Sequence, residues 1–206
     1  MTGGYPLPLT SVLSGATPSQ LRGWRAKGLL VPEVKPYRPP MWSFRDIIAL
    51  RAFALLRRDV SLQKITKALE TLDMLEMTSH PSQYKFGTRD GIVFAKAVDD
   101  EQAIDLTSNI GNRTVFTFDE LMEGFTSFKG KQIPDLRRPE THVEVELGRL
   151  GGWPTIQGTR VPYDAVTNLL EDGTVPLSDI GYYYPSVTQE AAASALRFQG
   201  LLDSVA

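Results

Sequence analysis

Through "FRDIIALRAFALLRR", residues 44–58, apolar positions recur at helical spacing. Ile47, Leu50, Ala54 and Leu55 form the stripe, and Arg45, Arg51, Arg57 and Arg58 lie largely off it. Ser43 stands where a cap is needed. Behind Ser61, "LQKITKALETLDML" sets Leu62, Ile65, Leu69 and Leu72 on one face of a further helix. Upstream, "TSVLSG" reads as a short helix capped by Thr10 and stopped by Gly15. Thr17 caps a second, Pro18 fits its first position, and Gly28 ends it after Lys27. Four prolines within residues 29–44 exclude a regular helix there. A short hairpin or wing displaying Lys35, Tyr37 and Arg38 is expected instead.

From about residue 80 the pattern shifts toward strands. "SQYKFGTRDGIVFAKAV" has two β-favouring runs around an Asp-Gly turn, the pattern of a hairpin. "NRTVFTFDELMEGF" predicts a strand leading into a short helix. Residues 127–141, rich in Pro, Gly and charge, read as a linker. The remainder is helical again: 163–171 ended by Gly173, a short piece at 176–182, and a last helix capped by Thr188. Ala191, Ala195, Leu196 and Phe198 give that helix its apolar side. The chain is expected to be α+β in four parts: a helical module at 1–75, a β-rich middle at 76–126, a linker at 127–147 and a small helical domain at 148–206.

Charge divides these parts. Residues 1–69 carry eleven Lys and Arg against three Asp and Glu, a net of +8, and residues 70–206 carry a net of −10. A basic module for a polyanion and an acidic remainder with another task are implied. There is no cysteine, and His80 and His142 are the only histidines, so neither a disulfide nor a zinc site is expected. No apolar run approaches the ~20 residues of a membrane span. "MTGGYPLPLTSVL" lacks the basic and apolar regions of a signal peptide, and a cytoplasmic protein is expected. No P-loop, dinucleotide fingerprint or nucleophile motif occurs. A carboxylate-based nuclease would have to use Asp90, Asp99, Asp100, Glu101 and Asp105, which read more simply as a solvated charge run. An enzyme is not expected, nor is a cofactor or a bound metal.

"LSGATPSQLRGWRAKGLL" followed by "YRPPMWSFRDIIALRAFALLRRDVSLQKITKAL" resembles the winged helix-turn-helix of MerR-type regulators. The resemblance implies that Thr17, Ser19, Gln20, Arg22, Trp24 and Arg25, with Lys35, Tyr37 and Arg38 of the wing, bind double-stranded operator DNA. Helix N-termini offer N–H groups to phosphate, and the arginines supply charge. Gly23 departs from the pattern, which has an aromatic there. No long dimerisation helix follows Leu75, which argues against a metal, redox or multidrug sensor.

Residues 149–199, with "GTRVP" and "YPSVT", resemble a small helix-turn-helix-like domain common in toxin–antitoxin operons. The two modules together resemble VapB-type antitoxins. This implies an antitoxin that neutralises a PIN-like ribonuclease toxin by direct binding and represses its own operon. A stand-alone MerR-like regulator is the alternative. The last module is acidic, three arginines against six carboxylates, so its task is expected to be protein contact. Arg137 and Arg138 of the preceding segment, with Arg149, Arg160, Tyr182 and Tyr183, are the candidate residues for a toxin or dimer interface. "VDDEQAID" or "HVEVE" could mimic nucleic-acid charge. A homodimer is expected, because one winged module makes few contacts and two half-sites are the usual solution.

Overall fold

The computed structural model describes residues 4–74, 80, 81, 84–89, 92–97, 104–105, 117–171 and 173–205. Helix α1 spans Leu7–Ser14 and begins after Pro6. The helix expected to be capped by Thr10 is therefore capped four residues earlier, at Pro6. Pro8 is tolerated in the first turn, and Thr10 is fully buried inside the helix, its hydroxyl bonded to the Tyr5 carbonyl at 3.2 Å. Gly15 ends α1 at φ 79°, and a Cβ there would lie 2.8 Å from Ile133. Both the left-handed turn and that close approach require glycine.

Helix α2, Pro18–Ala26, opens with a capping box: the Thr17 hydroxyl accepts from the Gln20 amide, and the Gln20 side chain accepts from the Thr17 amide. Residues 35–41 then fold back on themselves, with Lys35 paired to Met41 and Tyr5 paired to Trp42 by backbone bridges. Helix α3, Phe44–Leu56, has a second capping box at Ser43 and Asp46, and α4, Leu62–Met74, buries Ile65, Ala68 and Leu69. Most of α3 is buried on every side, because α1, α5 and β1 all pack against it.

Strands β1, Tyr84–Arg89, and β2, Ile92–Ala97, form the expected hairpin, Arg89 opposite Ile92, and β3, Ile104–Asp105, adds to β2. Phe86 reaches from β1 to an edge-on contact with Phe53 of α3. Helix α5, Phe118–Met122, is capped by Thr117. The strand expected just before it falls at positions outside the described residues, as do Asp90, Asp99, Asp100, Glu101 and most of "VDDEQAID".

Residues 127–147 are not a linker. Strands β4, Phe125–Thr126, and β5, Gln132–Ile133, make a hairpin, and Ile133, Leu136, Val143 and Val145 are buried. Polar composition there reflects the exposed turns, where Phe128 and Leu147 are also exposed, while Ile133, Leu136, Val143 and Val145 point inward. Strand β6, Val143–Glu144, pairs with β7, Thr155–Ile156. Helices α6, Tyr163–Leu170, α7, Ile180–Tyr183, and α8, Gln189–Asp203, complete the fold, with α8 packed on both α6 and α1. Leu196, expected on the apolar side of α8, is exposed. Among the described residues, buried apolar side chains from Tyr5 to Leu202 form a common cluster, so the two terminal modules share a core. The architecture is α+β, and among the described residues no helix is long and apolar enough to cross a membrane.

Candidate nucleic-acid interface

Helix α2 turns Leu21 and Trp24 inward. Three- and four-residue spacing then puts Ser19, Arg22 and Ala26 outward, and all three are exposed. A Cβ at Gly23 would meet nothing within 4 Å, so the missing aromatic leaves open space and no hole in the core. Trp24 is 5% exposed and meets Phe53 edge-on, ring centroids 5.7 Å apart. It packs in the core, and it also lines the groove beside Ser19 and Gln20. Thr17 and Gln20 spend their side-chain oxygens on the cap, so Gln20 has its amide donors left for a ligand. Arg25 is half-buried in the last turn.

The 35–41 loop carries Lys35, Tyr37 and Arg38 outward, with Tyr37 70% exposed. Its base is pinned by a polar node. One oxygen of the buried Asp46 carboxylate accepts from the amides of Ser43 at 2.7 Å and Glu33 at 3.0 Å. The other meets His80 Nε2 at 2.8 Å. Glu33 in turn accepts from the Ser43 hydroxyl and pairs with Arg45. Glu33, Asp46 and His80 lie close enough together for a divalent ion. Asp46, however, already accepts from the Ser43 amide of the capping box and from the Glu33 amide, which makes the group a structural fastening.

The candidate residues of the C-terminal half fall into two groups. Arg137 is exposed and paired with Asp119 at 2.5 Å. Arg149 is partly buried and held by Glu144 and Glu146, so it is no free cation for a partner. In contrast, Arg138 and Arg160 are exposed, and Arg160 has no ion pair or hydrogen bond among the described residues. The "GTRVP" stretch explains its position. Gly158 takes φ 71°, the Thr159 hydroxyl donates to the Ile156 carbonyl and accepts from the Val161 amide, and Pro162 starts α6. Arg160 projects from that turn. In "YPSVT", Val187 is buried and Thr188 caps α8.

Tyr182 and Tyr183 are exposed, Tyr182 at 86%, and their rings meet edge-on 5.4 Å apart. Tyr184, the next residue, packs against the core. Arg197 pairs with Glu140 at 3.1 Å. Burial raises the Glu140 carboxyl, but bonds from Thr141 and Arg197 outweigh it and hold it below the usual carboxylate range.

Sequence reasoning missed four residues near α2. Arg57, Phe128, Lys129 and Lys131 line one groove with Ser19 and Gln20. The lysines were hidden by the linker reading of their segment, though "KGK" between short β-favouring runs is a hairpin-tip pattern.

Residues 143–198 match a family described as "Protein of unknown function (DUF433)". No curated protein matches the chain. Among solved structures, the fold is similar to that of Rv2018 from Mycobacterium tuberculosis, at 15% identity and a TM-score of 0.50, covering 93% of this chain and 96% of that one. That likeness is one of fold.

Proposed function

We propose that the protein is a VapB-type antitoxin of a type II toxin–antitoxin module. In this reading residues 1–75 are a MerR-like winged helix-turn-helix that binds operator DNA and represses the operon. The C-terminal helical domain binds a PIN-like ribonuclease toxin, and the chain works as a cytoplasmic homodimer without chemistry of its own. One observation carries the DNA half. The outward stripe of α2, Ser19 and Arg22, belongs with exposed Lys35, Tyr37 and Arg38 to a segment of net charge +8. Such a surface suits the phosphate backbone of a duplex. Support for the protein-binding half comes from Tyr182, Tyr183 and Arg160, which stand exposed in an acidic module.

The test is co-expression with the neighbouring small reading frame, then purification through a tag on this chain. A stoichiometric complex with an otherwise toxic nuclease supports the antitoxin. Operator binding with no partner and no toxicity supports the second reading, a stand-alone regulator, which the same basic face favours. Arg22→Ala should weaken operator binding about tenfold, lower the salt slope by about 1, and leave any toxin complex intact. Unchanged DNA affinity would remove α2 from the interface.

A further inference from the structure

Lys129 and Lys131 sit at the tip of the β4–β5 hairpin, beside the start of α2. The groove between them has a volume of about 390 Å³. Ser19 and Gln20 line it from α2 and Phe128, Lys129 and Lys131 from the hairpin, with the apolar Trp24, Phe53 and Leu62 also in its lining. Arg57, from the end of α3, is its third cation, and no carboxylate lines it among the described residues. Phe128 is 58% exposed, with its ring 4.4 Å below the Arg57 guanidinium. That cation–π contact ties the tip to α3.

The tip is held in place. Ser127 accepts from Gly130 and donates its own amide to the Lys131 carbonyl at 2.8 Å, and its hydroxyl accepts from the Lys131 amide. At the base, Ile133 packs against Gly15, and Arg51 bonds the Pro134 carbonyl at 3.1 Å. The lysines are therefore positioned by the same core that positions α2.

We infer that the β4–β5 tip is a second clamp on duplex DNA, gripping the phosphate strand that flanks the segment where α2 docks. The inference rests on the DNA-binding reading of α2. Its occupant follows from charge: a groove with three cations and no carboxylate, open beside an exposed helix face, complements a line of phosphates. It takes backbone contacts and no base contacts, so it adds affinity without sequence preference.

The experiment uses the full chain and a labelled duplex taken from immediately upstream of its own coding sequence, with affinity read across a salt series. The double variant Lys129→Ala/Lys131→Ala should bind more weakly. Its log–log salt slope should fall by about 1.8, since each lost phosphate contact removes roughly 0.9. Lys129→Arg/Lys131→Arg should restore the slope, and thermal melts of both variants should match the parent, because these side chains are exposed. A wild-type slope in the alanine double variant, with the slope of Arg22→Ala reduced, overturns the clamp and leaves α2 as the DNA contact. No binding of the parent chain to duplex at low salt overturns both.

Discussion

At Arg51 the chain closes around a charge, and at Tyr5 it closes around neutral rings. Arg51 is fully buried in α3. Its guanidinium donates to the carbonyls of Leu13, Leu121, Glu123 and Pro134, with a longer contact to Met122 at 3.5 Å. None of these acceptors is a carboxylate. Leu13 lies in the last turn of α1, and Leu121 and Met122 end α5. Helix C-termini leave carbonyls without partners and carry partial negative charge, so two converging helix ends replace a counter-ion. Phe125 covers the group, 5.1 Å from Cζ. Burial lowers the Arg51 pKa to about 10, with Asp135 acting in the other direction, and the group stays charged at neutral pH.

The Tyr5 joint ties the N-terminus to the last module. Its hydroxyl donates to the Gly152 carbonyl at 2.7 Å, and its ring stacks on Trp153. Trp153 stacks on Tyr163, Tyr163 meets Phe198 edge-on, and the Trp153 indole donates to Asp164 at 3.0 Å. The difference concerns graduation. A ring contact can be trimmed by a methylene's worth, whereas a buried charge satisfied by five acceptors fails as a unit.

The largest expected effect follows from that. Arg51→Ala leaves carbonyls buried without donors and opens a cavity, and should cost about 3–5 kcal/mol of stability in urea unfolding. Arg51→Met fills the space but not the hydrogen bonds, so it should still cost about 3 kcal/mol. Arg51→Lys keeps the charge with fewer donors and should fall between Met and the parent. A neutral Arg51→Met would break the comparison, because both joints would then be matters of packing alone.

Gly152→Ala strikes the other joint. Gly152 has φ 85°, and a Cβ there would lie 2.5 Å from the Tyr5 hydroxyl. The backbone penalty and the clash together should cost about 2–3 kcal/mol. Trp153 emission should shift red as the stack opens. Full stability with unchanged emission would show that Tyr5 moves aside at no cost.

The sequence made the local structure legible and the joints illegible. Caps at Thr17, Ser43 and Thr188, and the hairpin at 84–97, follow rules that act within a few residues, and they stand where the pattern put them. Arg51 was read as lying largely off the apolar stripe, yet it shares the four-residue row of Ile47 and Leu55. A lone cation amid "IIALRAFALL" was the available signal. Its acceptors come from residues 13 and 121–134, which no local pattern connects to it. The true start of α1, the core position of Trp24 and the packing of 127–147 share that cause: each depends on what arrives from elsewhere in the chain. Of the candidate interface, the exposed stripe of α2 was legible because helical spacing fixes it, and the neighbouring lysines were not.

The smallest expected effect is also the most diagnostic of the ring joint. Tyr5→Phe removes one hydrogen bond and leaves the Gly152 carbonyl without it, a cost of about 1 kcal/mol near pH 8. Burial raises the Tyr5 hydroxyl above its ordinary 10.0, and Tyr163 is raised by burial and by Asp164 and Asp203. Below pH about 10 both folded and unfolded chains keep these protons, so tyrosine ionisation leaves stability unchanged. Above it the unfolded chain releases protons that the folded chain holds, and stability falls as pH rises. Each buried tyrosine contributes up to about 1.4 kcal/mol per pH unit to that fall. The lowered Arg51 pKa acts in the opposite direction between about 10 and 12.5, but equally in both proteins. Tyr5→Phe keeps the Tyr163 and Arg51 contributions and lacks only its own. Its disadvantage should therefore shrink above pH 10 and reverse near pH ~11, read from urea midpoints across the range. Parallel curves for the two proteins up to that pH would mean that the Tyr5 hydroxyl ionises as freely folded as unfolded, and the joint would not be the closed, ring-lined contact described above.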